Sequence, residues 1–173
     1  MDELLVGLAP RMDVRTRVLI LGSMPGTESL CQGRYYAHAR NRFWPLMSSM
    51  FGIPAEFSYE ERICSLNDAG IGLWDVIATC KRKGSLDTGI CISSEAYNDF
   101  NTLLLSYPGI SNIYCNGSKA YVSFTKNILP GLNGVVAARL EVFRLPSTSP
   151  ANASSRLDDL LRSWSAAFNN VHR

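Results

Sequence analysis

The chain has 173 residues, of which 46% are hydrophobic and 18% are charged, and its formal net charge is +2. This length and composition fit one folded domain with a buried core and exclude a disordered chain. The small net charge does not by itself indicate a nucleic-acid-binding protein, and no apolar run is long enough to predict a membrane span.

The five cysteines are an odd number and contain no CxxC pair, so their spacing predicts neither a zinc site nor an iron–sulfur cluster. No secretory signal or lipidation motif is recognisable in the sequence. We therefore expect free, mostly buried thiols in a reducing cytoplasm. We also expect a monomer that uses no metal and no cofactor and makes no contact with a membrane.

Hydrophobic patterning predicts strands and helices that alternate along the chain. The predicted strands are 17–21, 71–77, 110–115 and 135–145, the last beginning in a hairpin or bulge because it is long. The predicted helices begin at a capping box formed by Ser58 and Glu61, at Ser94, at Ser118 and at Ser154 or Ser155. This alternation predicts an α/β fold, a three-layer sandwich with a central, mostly parallel four-stranded sheet and helices on both faces, as a single domain over residues 1–173.

The predicted sheet also indicates where function lies. Ligands of mostly parallel sheets bind outside the carboxyl ends of the strands. We therefore expect the functional segments to be those that directly follow strands, namely 22–44, 78–90, 116–119 and 146–152.

The first of these segments combines a tight turn with aromatic and basic residues. Gly22, Pro25 and Gly26 form the turn, which matches neither a Walker loop nor a dinucleotide-binding fingerprint. After the turn, in a stretch without Asp or Glu, come Arg34, Tyr35, Tyr36, His38, Arg40, Arg42, Phe43 and Trp44. Aromatic rings stack on bases and guanidinium groups neutralise phosphates, so the segment favours nucleic-acid binding. The alternative is that Phe43 and Trp44 are core residues of a helix and that the basic run is a solvated surface.

The later segments offer sites for anions. Lys81, Arg82 and Lys83 lie in the second segment, and Ser118 with Lys119 begins a helix directly after a strand, which is an anion-binding geometry. The last segment carries Ser147, Thr148, Ser149 and Pro150, and hydroxyls in such a stiffened loop can hold phosphates. A solvated or plain connecting loop is the alternative for the second and the last segment.

These segments, in this order, resemble the uracil-DNA glycosylase superfamily over nearly the whole chain. The resemblance is strongest to the hypoxanthine-DNA glycosylase group, with similarity to mismatch-specific uracil/thymine DNA glycosylases. The matching motifs are the turn Gly22-Ser23-Met24-Pro25-Gly26, the run Tyr36-Ala37-His38-Ala39-Arg40-Asn41-Arg42-Phe43-Trp44, the helix start 117–121 and the Pro-Ser loop 145–151.

The resemblance implies a monofunctional DNA glycosylase that acts in base-excision repair on double-stranded DNA with a damaged base. Such an enzyme flips the target nucleotide into a pocket, and water attacks an oxocarbenium-like sugar to cleave the N-glycosidic bond. The implied base pocket consists of Gly22, Ser23, Met24, Tyr36 and Phe43. The implied DNA contacts come from Ser118, Lys119, Ser147, Thr148, Ser149 and Pro150.

Met24 departs from the pattern of the relatives, which carry an Asp or Asn at this place in the turn to face the attacking water. A thioether cannot replace that oxygen. The chemistry is therefore expected from Asn41, which the resemblance to the hypoxanthine group favours, or from Asp75 in the second strand. Asn41 can hold water through its carbonyl oxygen, but it can also simply cap the helix that follows. Asp75 can accept a lactam N–H of the base, activate water if its pKa is raised, or merely pair with an arginine.

The sequence leaves the substrate open. Hypoxanthine, uracil and xanthine share a lactam edge, so one pocket can take several deaminated bases. No lysine is placed as a Schiff-base nucleophile, so we expect no strand cleavage. The alternatives are a hydrolase of free nucleosides or nucleotides and a catalytically inactive DNA-binding relative.

Overall fold

The structure is a computed structural model that describes residues 4–171. Its strands are β1 Leu4–Val6, β2 Val18–Gly22, β3 Ile71–Asp75, β4 Ile77–Lys81, β5 Ala96–Tyr97, β6 Asn112–Asn116 and β7 Glu141–Leu145. Its α-helices are α1 Thr27–Gln32, α2 Phe43–Phe51, α3 Tyr59–Asp68, α4 Phe100–Ser106, α5 Ser118–Asn127, α6 Gly134–Arg139 and α7 Leu157–Val171. None of the described helices is both long and apolar enough to span a membrane.

The central sheet has the strand order β3-β2-β6-β7, and every neighbouring pair in it is parallel. Alternate residues of β2 face opposite layers. Ile20 packs in a core cluster with residues of α2, α3 and α7, whereas Leu19 and Leu21 pack in a cluster with residues of α4, α5 and α6. The predicted three-layer α/β sandwich with helices on both faces is confirmed.

The prediction of a single strand over 71–77 is wrong. The chain leaves the central sheet after Asp75, and β4 pairs antiparallel with β1 and β5 in a second, three-stranded sheet that the sequence analysis did not predict. The backbone N–H groups of Val76 and Ile77 donate to the carbonyls of Gly22 and Ser23, both at 2.9 Å, and so fix the bend. Apart from Asp75, the residues on both sides of the bend, Leu73, Trp74, Val76 and Ile77, are buried and apolar, which is why periodicity did not reveal it.

Two further boundaries differ from the sequence prediction. The helix expected from Ser94 begins at Phe100, because Asp99 caps it by accepting the N–H of Thr102 at 3.0 Å. The strand expected over 135–145 is helix α6 followed by β7, and Asn133 caps α6 by accepting the N–H of Val135 at 2.9 Å. Adjacent β-branched residues suggested a strand there, but tertiary packing of Val136 on the central sheet favours a helical turn.

The capping box is confirmed, since the Ser58 hydroxyl accepts the N–H of Glu61 and the Glu61 carboxylate accepts the N–H of Ser58.

The expectation of mostly buried thiols is wrong. Cys80 and Cys115 are buried, whereas Cys31, Cys64 and Cys91 are exposed, and all are free.

Candidate active site

A cleft of about 1060 Å³ opens at the carboxyl edge of the central sheet. All four segments that the sequence analysis selected contribute to its lining. They supply the turn after β2, the loop 85–88, the end of β6 with the start of α5, and the loop after β7. Three of these parts follow β2, β6 and β7, whose parallel arrangement brings their following loops to one edge, whereas the loop 85–88 follows the antiparallel strand β4.

The turn after β2 forms the wall of the cleft nearest to the sheet. Gly22, Ser23 and Met24 all line it. A Cβ atom at Gly22 would collide with Oδ1 of Asp75, so only glycine permits this approach. The Ser23 hydroxyl donates to Asp87 at 2.6 Å, and the Met24 side chain is anchored in a small apolar cluster with Ile77, Cys80 and Ile90.

Tyr36 lines the cleft and has an unusual backbone. Its φ is +56°, the left-handed region that bulky residues avoid. Its ring stacks on Phe43 with centroids 3.8 Å apart, and its hydroxyl lies 3.7 Å from the position that a Cβ of Gly22 would occupy. Phe43 itself is fully buried and is not part of the cleft wall, so it supports Tyr36 from behind.

Asp75 is the most unusual titratable group of the cleft. Its side chain is only 4% exposed, and its Oδ2 has no hydrogen-bond partner among the described residues. Burial raises the pKa of this carboxyl to about 7, the nearby Asp87 adds to the shift, and Arg82 opposes it. The Tyr36 hydroxyl is also buried, it lies near Asn116 but forms no hydrogen bond of normal geometry with the described residues, and burial raises its pKa as well. Unsatisfied polar atoms with shifted pKa values, gathered in one cleft, indicate a ligand site.

Asn41 also lines the cleft and is half-buried. Its Oδ1 accepts the N–H of Phe43 at 3.0 Å at the start of α2, so the helix-capping interpretation describes part of its role. A carbonyl oxygen has a second lone pair, and the amide NH2 group makes no hydrogen bond to the described residues. Asn41 therefore keeps the capacity to bind water or substrate.

The loop after β7 is held in place by hydrogen bonds between Thr148 and Asn116. Thr148 is fully buried, its hydroxyl accepts from the Asn116 amide, and its N–H donates to Oδ1 of Asn116, both at 2.9 Å. Ser147, Ser149 and Pro150 are partly exposed on the cleft wall. The two serines and the proline thus face the cleft, whereas the Thr148 side chain anchors the loop.

Arg42 is the second anchor of this loop. Its guanidinium donates to the carbonyls of Ser149 at 2.6 Å and Asn152 at 2.8 Å, and also to those of Thr148 and Ser155. With these four acceptors the cation is engaged by the protein. Its N–H donors are directed to the loop, so Arg42 is positioned to hold this loop in place.

Ser118 lies in the cleft at the start of α5, but Lys119 does not line it. The Lys119 ammonium forms an ion pair with the buried Glu95, so the structure does not bring it together with the other predicted DNA contacts. Arg82, which the sequence analysis placed in the second segment, is also engaged by the protein. It is buried, and it donates to the carbonyls of Pro25 at 2.8 Å and Gly84 at 3.0 Å.

Several residues of the cleft wall were absent from the predicted site, namely Asn116, Arg144, His38 and Arg40. Asn116 ends β6 and Arg144 lies next to the end of β7, so the strand-end rule contained the signal for both. His38 and Arg40 belong to the basic run of the sequence, but neither was predicted as a site residue.

Fold and cleft together define an α/β protein with a cleft at the carboxyl edge of its parallel sheet. The family model of the Uracil DNA glycosylase superfamily matches residues 9–168. The chain therefore belongs to the uracil DNA glycosylase superfamily.

Individual relatives agree with this assignment. The chain is 35% identical over 147 residues to the hypoxanthine DNA glycosylase of Methanosarcina acetivorans, covering 84% of this chain and 87% of that protein. It is 38% identical over 115 residues to the hypoxanthine DNA glycosylase of Methanosarcina barkeri, covering 66% of this chain and 72% of that protein. A solution NMR structure from Methanosarcina acetivorans, described as a candidate uracil DNA glycosylase, matches with a TM-score of 0.80 at 32% identity, over 99% of this chain and all of the other.

The role of Arg42 can be separated from that of a phosphate contact. We expect Arg42→Met to weaken binding to duplex DNA by about tenfold or more, because the loop loses several hydrogen bonds to a charged group. The slope of log Kd against log salt concentration should stay at the wild-type value, since no phosphate contact is removed. Arg144→Met, which alters an exposed cation of the cleft wall, is the matched control and should reduce that slope by about one. A reduced slope for Arg42→Met would contradict the anchoring role.

Proposed function

We propose that the protein is a monofunctional DNA glycosylase of base-excision repair that removes hypoxanthine from double-stranded DNA, with uracil and xanthine as further substrates. The observation that carries this proposal is the buried, unpartnered carboxyl of Asp75 in the cleft. The names of the two Methanosarcina relatives support the choice of hypoxanthine.

Asp75 has the chemistry to recognise a lactam. A deaminated base presents an N–H group beside a carbonyl oxygen. A neutral carboxyl presents a carbonyl acceptor beside an O–H donor, and these two edges are complementary. Because the pKa of Asp75 is about 7, a large part of the protein carries the neutral form near neutral pH. Adenine offers a similar pair of groups, so selection against it depends on its correct pairing, which makes it costly to flip.

Tyr36 supports the same assignment. The ring stacks on Phe43 and thereby keeps one face fixed in the cleft wall. A flipped purine or pyrimidine can stack on such a rigid aromatic surface, which is worth about 1–3 kcal/mol per base. The strained φ of Tyr36 is consistent with a position selected for this role, since strain concentrates at binding sites.

The reaction needs a water molecule at the sugar and a stabilised leaving base. In our proposal the Asn41 carbonyl oxygen positions water against an oxocarbenium-like sugar. The amide is no general base near neutral pH, so its contribution is orientation and electrostatic. Neutral Asp75 donates its O–H to the departing lactam anion and so stabilises the negative charge that develops there.

The proposal also covers strand cleavage, the contacts with the DNA backbone and the oligomeric state. No lysine lines the cleft among the described residues, which supports a reaction without a Schiff base and hence without strand cleavage.

The proposed contacts with the DNA backbone come from Ser118, Ser147, Ser149 and Pro150. Thr148 and Arg42 hold the loop after β7 in place. Lys119 is proposed to act at longer range, because Glu95 engages its ammonium. We propose a monomer that acts alone on duplex DNA.

The substrate is tested with duplex oligonucleotides that each carry a single lesion. We expect an alkali-labile abasic site with hypoxanthine, weaker activity with uracil or xanthine, and no cleavage before alkali treatment. Free inosine should remain intact under the same conditions, because it lacks the backbone that the loop after β7 holds. Failure to release any deaminated base from DNA would refute the proposed function.

The role of Asn41 is tested with two substitutions, because this residue also accepts the N–H of Phe43. Asn41→Ala should lower the single-turnover rate by about 10²-fold or more, the usual size for losing a key electrostatic group. It should also lower the free energy of unfolding by about 1 kcal/mol through loss of the cap. Asn41→Ser retains a capping oxygen, so it should recover the stability but not the rate. Recovery of both would assign Asn41 to the helix alone.

A further inference from the structure

The aromatic and basic run that follows the turn after β2 divides between two sites. Tyr36, His38 and Arg40 line the cleft, whereas Arg34, Tyr35 and Trp44 do not. The latter three line a second pocket of about 280 Å³, which shares Tyr36 with the cleft. We call it the Arg34 pocket, and its principal side chains are those of Arg34, Tyr35, Trp44, Phe57, Tyr59 and Arg62. The proposed function makes no use of this pocket.

Aromatic rings form much of the wall of the Arg34 pocket. The ring centroids of Trp44 and Tyr59 are 6.0 Å apart, and their planes meet at 87°. A flat ring that stacks on one of them therefore meets the edge of the other, and both contacts are favourable for a further aromatic ring. The volume is close to the lower end of the range for small-molecule sites, about 300 Å³, so it suits a single nucleotide.

Hydrogen bonds to Tyr35 fix the two rings before any ligand binds. The Trp44 indole N–H donates to the carbonyl of Tyr35 at 3.1 Å, and the Tyr59 hydroxyl accepts the N–H of Tyr35 at 3.0 Å. The Tyr35 side chain is itself buried, and its hydroxyl donates to the carbonyl of Ala9 at 2.9 Å. A ligand that enters the pocket therefore does not have to order these aromatic side chains.

Two guanidinium groups give the Arg34 pocket its charge. Arg34 is exposed, its guanidinium carbon lies 5.7 Å from the ring centroid of Tyr59, and its guanidinium makes no hydrogen bond or ion pair with the described residues. Arg62 lies 5.8 Å from a ring centroid of Trp44 and donates its Nε–H to the carbonyl of Phe57 at 2.9 Å. Its Nη1 makes no hydrogen bond to the described residues. Both arginines thus keep N–H donors for an anion.

Acidic side chains do not neutralise this charge inside the pocket. Among the described residues, the pocket lining contains neither Asp nor Glu. The two acids at the start of α3 are engaged elsewhere, since Glu60 pairs with Arg11 and Glu61 accepts the N–H of Ser58. Aromatic rings bind nucleobases with little regard to their identity, and guanidinium groups match the geometry of phosphate. The Arg34 pocket is therefore complementary to a flat ring that carries a phosphate.

We propose that the Arg34 pocket binds an unpaired nucleotide, whose base stacks on the aromatic wall and whose phosphate is held by Arg34 and Arg62. A single-stranded segment of DNA and a free mononucleotide both present this ring and this phosphate. The Arg34 pocket is separate from the cleft and contributes no group to base excision. The proposal therefore goes beyond the proposed function and does not depend on it.

Two tryptophans allow the Arg34 pocket and the cleft to be followed separately by NMR of the ¹⁵N-labelled protein. Trp44 lies in the Arg34 pocket. The Trp164 indole N–H donates at 3.0 Å to the carbonyl of Pro146, which lines the cleft. The Trp44 indole signal is identified by its absence from Trp44→Phe. The probes are deoxyadenosine 5′-monophosphate, deoxyadenosine and a single-stranded oligodeoxyadenylate without a lesion.

We expect the monophosphate and the oligonucleotide to shift the Trp44 signal in a saturable way. Arg34→Met should weaken both interactions by about tenfold, the size expected for loss of a charge-assisted contact. Lys126→Met is the matched control, because Lys126 is an exposed cation at the end of α5 that lines neither site, and it should bind as the wild type does. Deoxyadenosine lacks the phosphate, so its weaker binding should be insensitive to Arg34→Met.

The probes also separate the two sources of the nucleotide. A Trp44 shift with the monophosphate alone would support a site for free nucleotides, and a shift with the oligonucleotide alone would support a site for a DNA strand. An unmoved Trp44 signal, a shift confined to Trp164, or equal affinities of Arg34→Met and the wild type would overturn the proposal. None of these measurements requires excision of a base, so failure of the proposed function would be recognised separately.

Discussion

The unpaired carboxyl of Asp75 is the constraint on which the arrangement of the cleft depends. It stands on the last residue of β3, where the chain bends out of the central sheet into the second sheet. Its Oδ1 occupies the space that a side chain at residue 22 would need, and its Oδ2 is buried without a hydrogen-bond partner in the described part of the chain. The sheet, the glycine turn and the bend after β3 therefore combine to hold one polar group out of water and open to a ligand.

Such a group costs stability, and the cost has a defined direction with pH. The pKa of Asp75 is about 7 in the folded protein, against an ordinary value of 3.8. Below pH 4 both states are protonated and there is no penalty. As the pH rises from about 4 to 7 the unfolded chain loses this proton while the folded protein keeps it, so folding becomes less favourable by up to about 4 kcal/mol. In the proposed function, a carboxyl is retained at this cost because the lactam of the flipped base pairs with it.

Much of this architecture could be predicted from sequence because it rests on short-range patterns. Apolar runs that end in glycine or polar turns located β2 and β6, and the rule that ligands bind after parallel strands selected the parts of the cleft wall that follow β2, β6 and β7. The loop 85–88 follows the antiparallel strand β4, so the rule does not account for it. The bend at Val76 could not be predicted, since the residues on both sides of the pair Asp75 and Val76 are apolar. Hydrogen-bond and ion-pair partners that lie far apart in the chain could not be predicted either. Arg42 and Lys119 look like phosphate ligands in sequence, but their donors are directed to the loop after β7 and to Glu95. Only the folded chain shows that Asp75 has no such partner between residues 4 and 171.

The proposed function depends on an Asp75 side chain that is buried without a partner among the described residues and stays neutral close to physiological pH. A direct test follows the carboxyl ¹³C chemical shift of Asp75 from pH 3 to 9 in the free protein, with the resonance identified by its absence from Asp75→Asn. We expect a titration midpoint close to 7. A midpoint near the ordinary 3.8 would show that the carboxyl is ionised and satisfied in the folded protein, and would contradict its role as the neutral partner of a lactam base.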